Sequence, residues 1–515
     1  MVRPAPDFTV FSDIYQKNQP QLVYATLVYD MDTPVGALKK LEQFCPYRFL
    51  FESVEGGVNL GRYSFIVSDP DIIWKSQDGR ADIAHLSPWR KPMDWSGKPS
   101  FRNNGESLVS LRRLIAETRL DVPTHLPPMA TGIFGFMGYD IVQQMEKLPN
   151  RHHAAAASMV DKDVPDALFI RPRLVAVFDH VKRDVTIITA IWPDANVSAE
   201  QAFACAQERL YHYAKLLDNP LPVGRNGLHD QLVSDGRIIH DEEPLSNTGR
   251  KGFEAMVEKA REYILAGDIF QVVLSHRFSM PFKGSAFSLY RSLRRLNPSP
   301  FLFNLNFDGF ALVGSSPEIL VRLRDGEVAI RPLAGTRPRG KNAAEDERIK
   351  AELLADPKEN AEHLMLLDLG RNDVGRVAKT GTVKVTSKMD VEYYSHVMHI
   401  VSHVVGQVRD DVDALDVLQA GFPAGTVSGA PKIRAMEVID ELEVSARGFY
   451  AGTVGYFGAD GGLDSCITLR TALIKDGWLH VQAGAGVVAD SVPAHEYEET
   501  CNKALAIIRA AQQAF

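Results

Sequence analysis

"FLFNLNFDGFALVGSSPEILVRLRDGEVAIR", residues 301–331, consists of β-prone runs broken at Asp308-Gly309 and Asp325-Gly326. An Asp-Gly step between two such runs marks a tight hairpin, because the favoured two-residue turns need φ > 0 at both central positions. The device recurs at Asp460-Gly461 in "VGYFGADGGLDSCITLR" and at Asp476-Gly477 in "TALIKDGWLHVQAG". Consecutive hairpins make antiparallel sheet. Between them stand helical stretches with clear punctuation: "KGFEAMVEKAREYILAG" closes at Gly267, and "DPKENAEHLMLLDLG" opens on Asp-Pro and is expected to close at Gly370. The fold class is therefore α+β, antiparallel sheet with helices on its outer faces. Neither G-x-G-x-x-G after a strand nor G-x-x-x-x-G-K occurs, so a nucleotide cofactor is unsupported.

The chain has 515 residues, 45 % of them hydrophobic, which is enough for two domains. A Pro-, Gly- and charge-rich break runs through "DNPLPVGRNG" and "DEEPLSNTGRKG". It suggests an N-terminal domain over 1–225, a linker over 226–250 and a C-terminal domain over 251–515. Net charge is −8 and the basic residues form no long stripe. The clump "RSLRRLN" (291–297) reads as a solvated helix face, and no nucleic-acid partner is expected. The four cysteines, Cys45, Cys205, Cys466 and Cys501, include no close pair, which fits a reducing compartment. No signal peptide is evident, and no apolar run approaches the roughly 18 residues of a membrane span. A soluble, cytoplasmic protein is expected.

Acidic residues are concentrated on two helical stretches. In "ADPKENAEHLM", Asp356 suits an N-cap and Glu359 falls at N3, so Glu359 reads either as a capping-box residue or as a ligand. Glu362 lies one turn further on the same face and is not needed for the cap. "VPAHEYEETCNKALAIIRAA" places Glu496 and Glu499 at i, i+3, with Lys503 one turn beyond. If the two helices face one another, they offer an all-oxygen site suited to Mg²⁺; otherwise these are acidic first turns favoured by the helix dipole. His396, His399 and His403 in "SHVMHIVSHVVG" lie close to one face of a helix and leave open a zinc site, a single catalytic histidine, or a half-buried strand or helix.

Anion-holding features follow. "VQAGAGVVADS" has Gly484 and Gly486 flanking Ala485, so backbone N–H groups can converge on a carboxylate. Arg470 follows an apolar strand and wants either a bidentate anion or an internal salt bridge. "GFPAGTVSGAPKIR" carries a small-residue loop over 425–431. In "IRPLAGTRPRG", Arg331, Arg337 and Arg339 surround a Gly-Thr step as if to hold an anion, yet Ala334 puts a methyl group where a reactive side chain would stand.

Together "RPLAGTRPRG", "DPKENAEHLMLLDLGRNDVGRVA", "FPAGTVSGAPKIRAMEVIDELE", "RGFYAGTVGYFG" and "DSCITLRTALI" resemble the chorismate-utilising enzymes, in particular the large-subunit family of anthranilate synthases. The resemblance runs over essentially the whole chain and is strongest from about 250 to 515. It implies an antiparallel β-sandwich with outer helices, in two intimately associated domains, and a Mg²⁺-chorismate site. Glu362 and Glu499 would be the metal ligands, with Glu359 and Glu496 beside them. Arg470, Tyr450, Gly484, Ala485 and Gly486 would hold the pyruvyl carboxylate, and Thr336 would touch the ring. Mg²⁺ would bind the ring carboxylate and help the C4 hydroxyl to leave. Glu318 is the implied acid/base, and His399 would assist loss of pyruvate.

The same resemblance gives Ala334 a meaning. Related aminodeoxychorismate synthases carry a nucleophilic lysine there, and water-adding relatives carry a lysine base at the position of Gln271. Lacking both, the pocket is left for ammonia. The expected reaction is chorismate plus ammonia to anthranilate and pyruvate, the first step of tryptophan biosynthesis. Aminodeoxyisochorismate or aminodeoxychorismate synthesis is the alternative. None of the four cysteines sits on a Gly-x-Cys-x-Gly elbow, so ammonia is expected from a separate glutamine amidotransferase subunit. "FLFESVEGGVNLGRYSF" resembles a segment that binds tryptophan as feedback inhibitor, with Glu52 and Ser53 recognising it and Pro300, Leu302 and Phe303 as further wall.

Overall fold

The computed structural model describes residues 3–55, 59–149, 164–221, 243–394 and 397–514. All four Asp-Gly steps join antiparallel neighbours: Phe301–Asn306 with Phe310–Ser316, Ile319–Arg324 with Glu327–Ile330, Thr453–Gly458 with Leu463–Ile467, and Thr471–Lys475 with Trp478–Val487. Both turn residues have positive φ only at Asp325-Gly326 and Asp476-Gly477. At the other two steps the glycine alone does so, and those turns are longer than the two-residue form.

Among the described residues, 22 strands join into one sheet and all of its pairings are antiparallel. Helices pack against it, which gives the α+β architecture. Two strand pairs join the N- and C-terminal halves. Arg48–Glu52 pairs with Phe301–Asn306, and Gly132–Met137 pairs with Thr453–Gly458. At the second junction Gly135 faces Gly455. Each glycine also lies tight against its other neighbour: a Cβ on Gly455 would lie 2.2 Å from the Asp464 carbonyl oxygen and one on Gly135 1.9 Å from that of Leu168, so neither position has room for a side chain. Aromatic packing continues across the junction: Phe307 lies 4.8 Å from Phe49 and 5.5 Å from Phe136, and Phe134 stacks on Tyr456 at 5.3 Å.

Several expectations change in detail. The helix Pro357–Val377 runs through Gly370, which packs close to Ile330 and Pro332 and serves contact, not termination. Of the expected linker, 226–242 lies outside the described residues; Leu245–Ser246 already pairs with Phe278 and Ser279, and a helix begins at Gly249. The histidine-rich run forms the strand Val397–Gln407, not a helix, and His396 lies outside the described residues. The helix Ala286–Leu296 buries Leu289, Tyr290 and Leu293, and Arg294 turns inward to Glu52 while Arg291 and Arg295 are exposed.

Because strands 301–306 and 453–458 each need an N-terminal partner, residues 251–515 expressed alone would carry unpaired edges and stripped apolar faces. We expect that fragment to lack a cooperative melt by circular dichroism. A sharp melt near that of the full chain would show that the cross-strand pairs are dispensable.

Candidate active site

The two acidic helices bring their carboxylates within electrostatic reach of one another. Glu362 is half-buried on Pro357–Val377, and burial pushes its carboxyl above the ordinary range. The charges of Glu359 and Glu499 push it the same way, and a hydrogen bond from Gln271 opposes them. Glu496, on Pro493–Gln512, is raised by burial and by Glu499. Like charges have thus been brought together from helices well over a hundred residues apart.

Partial compensation is local. Arg337 Nη1 donates to Glu359 Oε1 at 2.6 Å, and Lys503 Nζ lies 2.7 Å from Glu499 Oε1. Asp356 caps its helix as expected, but the Glu359 carboxylate turns to Arg337 and makes no bond back to the cap. Among the described residues no group of three or more His, Cys, Asp and Glu side chains is spaced to hold a metal. Glu362 and Glu499 remain the expected donors, with Glu499 paired to Lys503 in this arrangement. Two carboxylates with open positions suit Mg²⁺, which keeps water and binds substrate oxygens, and the excess negative charge fits a cation.

Gln271 opens the strand Gln271–Pro281, and its Nε2 donates to Glu362 Oε1 at 3.1 Å. Its own Oε1 is buried without a partner. A Cβ on Gly486 would lie 2.7 Å from Gln271 Nε2, and one on Gly484 would lie 2.7 Å from Tyr450 Oη. These glycines are needed so that Gln271 and Tyr450 can reach the backbone. Ala485 between them is fully buried. The Gly484 backbone hydrogen-bonds Tyr450, whose phenol burial raises to about 12. Lys503 Nζ donates to the Gly484 carbonyl at 2.9 Å. The glycine strand is thereby tied to the Glu499 helix.

Leu333–Pro338 pairs with Val397–Gln407, with a bulge at Gly335, where φ is +69°. Ala334 stands opposite Ile400 and Thr336 opposite His399. A Cβ on Gly335 would come 3.1 Å from Glu359 Oε2, which links the bulge to the acidic helix. His399 Nδ1 lies 3.2 Å from the Gly335 carbonyl and 3.0 Å from Thr336 Oγ1. A carbonyl can only accept, so Nδ1 carries the proton and Nε2 keeps its lone pair. Burial, then the nearby Arg470, lower this imidazole to about 4, so it is neutral at pH 7.

Arg470 sits in the bend between two strands, not within one, with φ +46°. No ion pair to a carboxylate forms at its guanidinium among the described residues; its charge is felt by Tyr394 and His399. By contrast, the arginines expected to hold an anion are satisfied internally: Arg331 by Glu392, Arg337 by Glu359 and Asp356, Arg339 by Asp346.

Glu318 is buried, and burial raises its carboxyl to about 8. Thr426 Oγ1 donates to its Oε1 at 3.0 Å. Thr426 was hidden in the loop 425–431, which the sequence marked only as small and anion-compatible. Tyr394, edge-on to His399 at 5.4 Å, had no sequence signal beyond a Tyr-Tyr pair.

Glu52, Ser53, Pro300, Leu302 and Phe303 line one cavity of about 1010 Å³. Glu318, Leu333 and Tyr394 also line it. Glu52 already accepts from Tyr290 Oη at 2.5 Å and is paired with Arg294 Nε at 2.9 Å.

Comparison with known proteins agrees with this geometry. Residues 69–509 match the family of chorismate binding enzymes. The anthranilate synthase component 1 of Cereibacter sphaeroides is 50 % identical over 509 residues, 98 % of this chain and 97 % of that protein. The crystal structure of anthranilate synthase component I from Streptococcus pneumoniae superposes with TM-score 0.72 at 35 % identity, covering 87 % of this chain and 92 % of that one. The menaquinone-specific isochorismate synthase of Escherichia coli shares the fold, with TM-score 0.67 at 19 % identity over 98 % of this chain and 99 % of that one. With long antiparallel strands, converging carboxylates and these relatives in agreement over nearly its whole length, the chain belongs to the chorismate-binding enzyme family, in its anthranilate synthase component 1 group.

Proposed function

We propose that the chain is the large subunit of a cytoplasmic anthranilate synthase, converting chorismate and ammonia to anthranilate and pyruvate. The observation that carries this is Arg470, a desolvated guanidinium without a carboxylate among the described residues, whose charge acts on His399, in a protein that also gathers a cluster of carboxylates from two helices. Such an arrangement calls for a ligand with an anionic end for the arginine and a second that a cation can bridge to Glu362 and Glu499. Chorismate, a dicarboxylate, meets both demands. Mg²⁺ at Glu362 and Glu499, with Glu359 and Glu496 beside them, would supply Lewis-acid polarisation of the substrate.

The chain's own groups divide the remaining work. Arg470, the Tyr450 hydroxyl and the backbone at Gly484 to Gly486 hold the pyruvyl carboxylate. Glu318, protonated at neutral pH, hands a proton to the departing C4 hydroxyl and recovers one from the incoming amine. His399 Nε2 accepts the ring proton as the enolpyruvyl C–O bond breaks, while Thr336 and the Gly335 carbonyl hold the imidazole. Gln271, an amide engaged with Glu362, cannot serve as a base for water, and Ala334 offers no amine. The nucleophile is thus ammonia, delivered by a glutamine amidotransferase subunit. Component 1 relatives imply such a second component. Tryptophan would bind at Glu52, Ser53, Pro300, Leu302 and Phe303, as feedback inhibitor of its own biosynthesis.

Replacing Arg470 by Gln removes a charge-assisted bond worth about 1.5–3 kcal/mol. We expect chorismate affinity, measured by titration calorimetry, to fall about 10- to 100-fold with the fold intact by circular dichroism. Unchanged affinity would remove Arg470 from the site.

Glu318 gives a second test. Its folded value lies above the ordinary 4.5, so the folded state binds more protons than the unfolded one between the two values. The wild type therefore loses stability as pH rises from about 4.5 to about 8. Glu318→Gln abolishes that slope. Relative to wild type it should gain on the order of 3 kcal/mol in urea unfolding between about pH 5 and pH 8.5, while turnover falls about 100-fold or more. A variant with the wild-type pH slope would mean that Glu318 is ionised throughout.

A further inference from the structure

The stretch "RGFY", residues 447–450, contributes only Tyr450 to the site described so far. Arg447 and its partner Glu443 are both buried, at 1 % and 4 % exposure. They form a two-point pair: Arg447 Nη2 donates to Glu443 Oε1 at 2.6 Å and Nε to Oε2 at 3.0 Å. What surrounds the pair is informative. Arg447 Nη1 donates to the Val427 carbonyl at 2.7 Å, one residue from Thr426, the partner of Glu318. Nη2 also donates to the Val273 carbonyl at 2.6 Å, two residues from Gln271. Glu443 Oε1 accepts from the Ser275 backbone N–H at 2.7 Å and its hydroxyl at 2.9 Å, and Ser275 is the register partner of Gly484. The guanidinium stands 5.5 Å from the Tyr450 ring and 4.7 Å from that of Tyr139. The Tyr139 N–H donates to the Gly448 carbonyl at 2.8 Å, which fastens the N-terminal half to the same corner.

We propose that Glu443 and Arg447 are positioning residues for the reaction, a buried pair that fixes Tyr450, the Gly484 strand, Gln271 and the Thr426 loop relative to one another. Neither touches substrate. Apart from Tyr139, each of these contacts falls on, beside or directly across from a residue of the site, so a shift of the guanidinium displaces both the carboxylate-holding end and the Glu318 support. A buried ion pair is a poor device for stability alone, because apolar replacements of similar volume are often as stable or more so. Its value here is geometric, since one planar donor group spans several segments at fixed angles. The inference rests on the reading of Tyr450 and Thr426 as parts of the substrate site. It goes beyond that reading by assigning the control of their geometry to two residues behind them.

Two variants test it in the full chain. Arg447→Lys keeps the charge but loses the fork. The double variant Glu443→Gln, Arg447→Met removes both charges while the glutamine carbonyl still accepts from Ser275. Chorismate and Mg²⁺ affinities are measured separately by titration calorimetry, and melting by circular dichroism. Both variants should fold, bind Mg²⁺ within about twofold of wild type, and bind chorismate about tenfold more weakly or worse, as loss of charge-assisted bonds in one part of the site requires. A folded double variant with wild-type chorismate affinity would overturn the proposal. So would equal losses of chorismate and Mg²⁺ binding, which would mark a general loosening of the fold. Should Arg447→Lys fail to fold, the double variant decides. A wild type that binds no chorismate removes the substrate reading and this proposal together, whereas a binding wild type with unaffected variants removes the proposal alone.

Discussion

Burial first, and then the charges of Glu359 and Glu499, raise the energy of ionising Glu362, and the rest of the site is arranged around that cost. Isolated carboxylates at such spacing would protonate or move apart. Here two helices keep them in place, packed on a sheet whose strands pair through their backbones and cannot slide without losing register. Arg337 and Lys503 each neutralise one outer carboxylate, and among the described residues Glu362 keeps an amide hydrogen bond and no ion pair. The unbalanced charge is what a divalent cation and its anionic substrate would discharge. The opposite imbalance at Arg470 completes a polarised pocket.

Much of this could be read in the sequence, for identifiable reasons. Asp-Gly steps encode turn geometry locally, so the hairpins were visible before any tertiary contact was known. Glycine was less legible. Gly267 does end a helix, with φ +84°, whereas Gly370 lies within one, because the close approach of Ile330 and Pro332 is a tertiary fact. Glu362 stood out because the cap does not need it, and Glu359 remained ambiguous because its partner, Arg337, lies on another element. Thr426, Tyr394, Glu443 and Arg447 were hidden for the same reason. Their roles come from what faces them, and spacing along the chain carries no record of that.

The large cavity at Glu52 and Leu302 reaches Glu318, which Thr426 also holds. Its charges are arranged differently from those around His399 and the acidic helices. The cavity is lined mainly by aromatic and aliphatic groups, and most of its charges are already paired: Glu52 with Arg294, Arg62 with Asp179, Arg331 with Glu392 and Asp464 with Arg322. Around His399 and the acidic helices stand a guanidinium without a carboxylate partner among the described residues, a neutral imidazole and crowded carboxylates, the kinds of group that act on a substrate.

The central claim is that this pocket takes ammonia, and not water or a lysine amine, to chorismate. The most direct measurement follows anthranilate fluorescence and pyruvate release with the purified chain, chorismate and Mg²⁺, supplied first with ammonium at alkaline pH and then with glutamine. Anthranilate and pyruvate in equal amounts with ammonium, and neither with glutamine, is the result expected of a large subunit without its amidotransferase. Consumption of chorismate without anthranilate, or an aminated product that retains its enolpyruvyl group, would contradict the roles given to Gln271, Ala334 and His399.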